Sequence, residues 1–214
     1  AEEDVTYLED YLKTRDPAMQ QQAERLCALR PAAPWSIIAI TFTNKAANEL
    51  KERLERMLGP EALDVWAMTF HSACCRILRR DIDRLEGYSS SFTIYDSDDQ
   101  QRVIKQIYKD LMIDDKFLPP REIKSKISDA KNKLLGPQDW FAQSERDYRS
   151  QLIYDVYNAY EEKLKSSNSL DFDDLIVKTL ELFAQHPPVL EAYQRKIRYI
   201  HVDEYQDTNT AQFE

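Results

Sequence analysis

Three short apolar runs rich in β-branched residues stand far apart in this chain, and between the second and third lie about a hundred residues of almost wholly helical pattern. Trp35 to Phe42 reads WSIIAITF, Val65 to Phe70 forms the second run, and Tyr199 to Val202 the third. Runs this short and this apolar suit strands buried on both faces, as in parallel sheets. Strand, helix, strand, a long helical stretch and another strand predict a parallel α/β domain carrying a helical insertion.

The intervening helices have local signals. Thr43 and Asn44 offer side-chain oxygens for an N-cap, and Ala46, Ala47, Leu50, Leu54 and Met57 share one face of the helix that follows. The second run leads through His71 and Ser72 into a helix ending near Leu85. Asp96 is placed to cap a helix carrying Val103, Ile104, Ile107 and Leu111. Pro119-Pro120 precede a helix with Ile123, Ile127 and Ala130, and a long one holds Leu152, Val156, Tyr160 and Leu164. After the polar break Ser166 to Ser169, a helix is expected from Leu170 to Phe183. Residues 1–30 read as an acidic amphipathic helix followed by a polar stretch around Gln20 to Gln22.

Composition excludes some classes. No apolar run approaches the roughly 18 residues of a bilayer span, and no leader pattern opens the chain. Cys27, Cys74 and Cys75 have neither metal-ligand spacing nor a disulfide framework, which fits a reducing, cytoplasmic setting. The formal charge of −9 is a far-field average. Basic residues still cluster at 76–80 and 124–133, so charge neither supports nor excludes a nucleic-acid partner. Gly59, Gly87 and Gly136 are the only glycines, and none lies in a GxxxxGK[ST] phosphate loop.

Chemistry gathers where the three runs end. In open α/β sheets ligands sit beyond the carboxyl ends of strands, and Asp203 with Glu204 follow the third run directly. Taken alone, such a pair most often begins a solvated loop. In a nucleotide site, one carboxylate would hold Mg²⁺ while its neighbour polarised the attacking water. Phe42 with Thr43 and Asn44 follows the first run, and Phe70 with His71 ends the second. An aromatic face can stack a base at about 1–3 kcal/mol whatever its identity, and hydroxyls, imidazole and helix-start amides can hold phosphates. Single phenylalanines at these places are more often core residues, so the set of strand ends carries the weight.

In order, AITFTNKAANEL (39–50), TFHS (69–72), SLDFDDLI (169–176) and VDEYQDTN (202–209) resemble motifs of the superfamily 1 UvrD/PcrA/Rep-type ATP-dependent DNA helicases. The likeness runs from about residue 35 to the C-terminus. It implies an incomplete parallel-sheet RecA-like motor domain with a large all-helical inserted subdomain. The bounds expected are 1–34 for an N-terminal helical segment, 35–84 and 168–214 for the motor domain, and 85–167 for the insertion. It also implies an ATP-driven 3′→5′ translocase that unwinds duplex DNA in repair or replication restart. Position by position, Asp203 would coordinate Mg²⁺ with ATP, Glu204 would be the general base, and Gln206 would sense the γ-phosphate region. Phe42, Thr43, Asn44, Thr69 and His71 would meet single-stranded DNA. The lysine-rich run, Lys131 and Lys133 included, is expected on a solvated face that either meets duplex DNA or serves only solubility. Asp173 and Asp174 are expected to be structural.

The chain departs from that family in lacking the Walker A loop, motif III and a second motor domain. It is therefore expected to be a fragment without ATPase activity of its own, or a chain with an internal segment left out. The missing central strand would leave a sheet edge uncovered, with altered pairing or self-association as outcomes. A non-catalytic DNA-binding scaffold and the helicase subunit of a helicase–nuclease are the alternative functions.

Overall fold

The computed structural model describes residues 2–28 and 31–214. In chain order, α1 (Glu2–Thr14) and α2 (Pro17–Cys27) precede β1 (Ile37–Thr41), α3 (Asn44–Leu58), β2 (Trp66–Thr69) and α4 (Phe70–Asp81). Next come β3 (Thr93–Ile94), α5 (Ser97–Asp110), α6 (Pro120–Asn132), α7 (Pro137–Gln143) and α8 (Tyr148–Ser166). The chain then forms β4 (Ser169–Leu170), α9 (Asp174–Gln185), α10 (Pro187–Lys196), β5 (Tyr199–Val202) and α11 (Thr210–Phe213).

The local start signals act as expected. Thr43 Oγ1 accepts from the Ala46 amide at 3.1 Å and caps α3. Asp96 accepts from the Asp98 and Asp99 amides, both at 2.8 Å, while Asp99 reaches back to the Asp96 amide, a capping box on α5. Two readings are corrected. The polar stretch around Gln20 to Gln22 is the helix α2, started by Asp16, which caps the Ala18 amide, and by Pro17 in the first turn. Leu170 belongs to β4, and the helix after it begins only at Asp174. The expected N-terminal segment 1–34 includes residues 1, 29 and 30, which lie outside the described residues.

Contacts divide the chain into two compact units, Ala1–Thr69 with Gln194–Asp203, and Phe70–Tyr193 with Glu204–Glu214. Within the second unit α4 packs on α9.

In the first unit β1 is central. It pairs in parallel with β2, Ile38 opposite Trp66 through Thr41 opposite Thr69, and with β5, Ile37 opposite Tyr199 through Ile40 opposite Val202. The third strand is not buried as expected: Tyr199 is 48% and Ile200 68% exposed. It runs parallel to β1 as expected, but it lies at a sheet edge. α3 packs on β1 and β2. α2 closes the far end of α3, with Gln21 donating to Met57 O at 2.7 Å and Arg25 to Leu58 O at 2.8 Å. Those carbonyls belong to the last turn, which has no intrahelical donor for them.

In the second unit α5, α6 and α8 surround a core of Ile104, Ile107, Leu118, Ile123, Ile127 and Val156 with neighbouring tyrosines. The tyrosine hydroxyls reach carbonyls from inside it: Tyr108 donates to Leu118 O at 2.8 Å and Tyr157 to Leu135 O at 3.0 Å. β3 and β4 pair in parallel, Thr93 opposite Ser169. Among the described residues no helix is long and apolar enough to cross a membrane.

Candidate functional site

All three strands of the first unit run the same way, so their C-terminal ends share one edge of the sheet. Thr41 is buried there and donates to Thr43 O at 3.1 Å, turning the chain from β1 into α3. Phe42 is half-buried, and Thr43 and Asn44 are exposed at the start of a 15-residue helix. The helix-start amides and the positive end of its dipole therefore sit at this edge. Thr43 accepts the cap bond on one lone pair of its hydroxyl oxygen, which leaves the O–H itself uncommitted by the cap. Thr69, in register with Thr41, is only 7% exposed and offers little side-chain surface.

On the other side of β1, the Asp203 amide donates to Ile40 O at 2.9 Å, carrying the β5 ladder one residue further. Its carboxylate lies in an exposed residue. Glu204, next in the chain, has φ 50° and ψ 41°, a left-handed conformation that costs a non-glycine residue about 1 kcal/mol. It opens a tight turn, Tyr205–Asp207, in which the Asp207 amide donates to Glu204 O at 2.9 Å. Glu204 and Gln206 are both exposed. Asn209 then caps α11 with a reciprocal bond from Gln212.

Within the second unit His71 stacks on Phe172, with ring centroids 3.7 Å apart and planes 19° from parallel. Phe172 remains 53% exposed. Reading the sequence missed this partner, although a lone aromatic inside the acidic run Asp171 to Asp174 was the available signal. Burial pushes the His71 imidazole down from its ordinary 6.5 to about 4, so it is neutral at pH 7 and offers a hydrogen bond rather than a charge. The unfolded chain takes up that proton near pH 6.5, before the folded chain does. The stabilising contribution is thus complete above pH 6.5 and is lost as pH falls through about 4. His71→Phe keeps a ring against Phe172 without a titrating group. Its thermal midpoint should fall less steeply than wild type between pH 6.5 and 4, and parallel curves would exclude a buried neutral His71.

Lys131 is corrected outright. It is 2% exposed, and its Nζ lies 2.7 Å from Asp174 Oδ1, 2.8 Å from Asp171 Oδ2 and 2.8 Å from Glu161 Oε1. It follows Ile123 and Ile127 at intervals of four, on the face of α6 that packs inward, and meets no solvent for DNA to approach. Lys133, by contrast, is exposed at the end of α6. Asp171 and Asp174 accept one another's amides at 2.8 and 3.0 Å, which fixes the start of α9 and gives both the structural role expected for the second.

Asp203 and Glu204 supply hard oxygen donors of the kind Mg²⁺ takes from one or two carboxylates, with phosphates and waters completing its shell. Among the described residues no cluster of three or more His, Cys, Asp or Glu could cage a metal.

A parallel sheet whose strand ends carry adjacent carboxylates and a capped helix start is the setting in which α/β proteins build nucleotide sites. This chain belongs to the UvrD/REP helicase N-terminal domain family, whose model matches residues 16–214. It is similar to the ATP-dependent DNA helicase PcrA of Bacillus subtilis (strain 168), 55% identical over 188 residues that cover 88% of this chain and 25% of that protein. Proteins of the same description from Staphylococcus aureus (strain Mu50) and Staphylococcus epidermidis are each 51% identical over 185 residues, covering 86% of this chain and 25% of theirs. The chain spans about a quarter of the length of these relatives.

Proposed function

We propose that this chain is part of the first, RecA-like motor domain of an ATP-driven DNA helicase, with residues 85–167 as its inserted helical subdomain. The whole protein would move 3′→5′ on single-stranded DNA and open duplex DNA, in the cytoplasm, during repair or replication restart. The observation that supports this most is the parallel order β2-β1-β5, which brings Thr41 to Asn44, Thr69 and Asp203 to one sheet edge from distant parts of the chain.

Asp203 holds Mg²⁺ in this reading, with Glu204 beside it in the chain. An ion held there with ATP would neutralise charge on the phosphates. Glu204 takes the proton of the attacking water, and Gln206 responds to the γ-phosphate region. Phe42 stacks a base, the start of α3 at Thr43 and Asn44 receives a phosphate, and Thr69 contributes through its backbone. His71, neutral and stacked on Phe172, donates to the strand, and Lys133, exposed at the end of α6, meets duplex DNA. The sequence holds no GxxxxGK[ST] loop, so the chain by itself is proposed to be inactive as an ATPase.

Fluorescence anisotropy with a labelled oligothymidylate tests the strand surface. Binding should be weak and should fall steeply with added salt. Phe42→Ala should weaken it roughly 5- to 150-fold, the loss of one stacked base. Affinity unmoved by this change would refute the assignment.

The open β5 edge also supports self-association by strand pairing, with Tyr199 and Ile200 exposed along it. Sedimentation velocity should show a concentration-dependent dimer, reduced by Ile200→Lys. A single monomer boundary at high concentration would rule this out.

A further inference from the structure

Asn209 closes the stretch VDEYQDTN and spends its side-chain oxygen and its backbone amide on the cap of α11. Its side-chain amide remains, and donates to Asn132 Oδ1 at the end of α6. The Asn132 amide in turn donates to Asp173 Oδ1 at 3.2 Å and to Ser128 O at 2.8 Å. Asp173 adjoins Phe172 in the chain. On the other side of Phe172, Asp171 accepts from Lys131 and Tyr160 at 2.8 and 3.1 Å. Phe172 is therefore held between two anchored carboxylates, with its ring left exposed against His71.

These bonds form one continuous path inside the second unit. It starts five residues after Glu204, crosses α6 at a single side chain and ends at the backbone of the aromatic shelf. Few side chains could occupy the crossing point. It must accept from one amide and donate to a carboxylate on its opposite end, which a short carboxamide does and an apolar or charged side chain does not.

We propose that Asn132 is a positioning residue that ties the segment after Glu204 to the His71–Phe172 shelf, so that strand occupancy on the shelf is felt at residues 204–213. The coupling to DNA rests on the function proposed above, whereas the tie itself rests only on the hydrogen bonds.

Amide hydrogen exchange of this chain, followed by mass spectrometry with and without an oligothymidylate, separates the two. In the free chain, Asn132→Leu should speed exchange in both 169–174 and 204–213 by about 3- to 10-fold, the worth of a lost hydrogen bond. Exchange unchanged in either segment would overturn the tie. With the oligothymidylate, wild type should show slowed exchange in both segments, and Asn132→Leu only in 169–174. Protection of 204–213 that survives Asn132→Leu would overturn the coupling. An oligothymidylate that slows exchange nowhere would refute both the DNA reading and the coupling, leaving the tie to the free-chain result. The pair Asn132→Asp with Asp173→Asn reverses the polarity of one bond and keeps an acceptor for Asn209. Exchange in both segments should be slower than in Asn132→Leu although the new carboxylate cannot donate to Ser128 O, an outcome that simple loss of packing would not produce, and exchange as fast as in Asn132→Leu would count against the tie.

Discussion

Lys131→Met is expected to destabilise the helical unit by about 3–5 kcal/mol, the usual consequence of removing one partner from a buried ionic cluster. The ammonium lies within 2.8 Å of oxygens from Glu161, Asp171 and Asp174, and 5.3 Å from the Tyr160 ring centre. Burial alone would pull the Lys131 pKa down, but Asp174, Asp171 and Glu161 outweigh it and hold the value well above that of an ordinary lysine. Burial likewise raises Asp174, helped by Asp171 and Glu161, because three carboxylates surround one cation. Against burial, Lys131 holds Asp171 below the usual range. Methionine fills the volume but leaves the carboxylates facing one another in a dry interior. In wild type, the contribution of Asp171 is present above its unfolded pKa and is lost as pH falls through its lowered folded value. In Lys131→Met the carboxylates have folded pKa values above their unfolded ones, so their deficit is relieved below the unfolded values and grows as pH rises. Urea unfolding should therefore show two curves of stability against pH that converge on acidification. Adding Asp171→Asn and Asp174→Asn to Lys131→Met should recover part of the loss, since uncharged groups need no counter-ion. A single variant as stable as wild type at pH 7 would mean that the cluster contributes nothing net.

At Lys131 charge and helical periodicity point in opposite directions. Residues 124–133 are rich in lysine, and charge runs usually lie on solvated faces. Yet helical periodicity places residue 131 four after Ile127 and eight after Ile123, on the buried stripe. A lysine on an apolar stripe requires carboxylate partners, and these lie 30, 40 and 43 residues away, beyond any local pattern. The Asn132–Asn209 bond spans 77 residues and was equally invisible. The caps at Thr43 and Asp96, by contrast, were legible because a side-chain oxygen and the amide it serves sit within three residues of each other. The positions of β1, β2 and β5 were legible to within a residue or two from apolar runs, whereas β3 and β4, two residues each, are too short to leave a pattern. The exposure of β5 was not, because YIHV signals a strand without signalling how many neighbours it has. α2 has one buried residue, Ala23, and so no apolar stripe to read, although Asp16-Pro17 announced its start.

Glu204→Gln should abolish ATP turnover once the chain is joined to an upstream segment bearing a GxxxxGK[ST] loop, with a fall of about 10²- to 10⁴-fold in DNA-stimulated ATPase. Backbone amides and the lysine of such a loop cradle the β- and γ-phosphates, and no residue of this sequence supplies that pattern. The unjoined chain should accordingly show no turnover that responds to the same change. Glutamine preserves the size of the side chain and its place in the left-handed turn but cannot accept the proton of the attacking water. Glu204→Gly separates the two properties of this position. It removes the same base but relieves a backbone conformation that glycine adopts freely, so it should raise the unfolding midpoint by an amount corresponding to about 1 kcal/mol while turnover is lost as fully. A strained backbone at the proposed base is expected where the turn serves the reaction rather than the fold. If the joined protein with Glu204→Gln hydrolyses ATP at the wild-type rate, the proton goes elsewhere, and the left-handed turn after β5 has only a structural part to play.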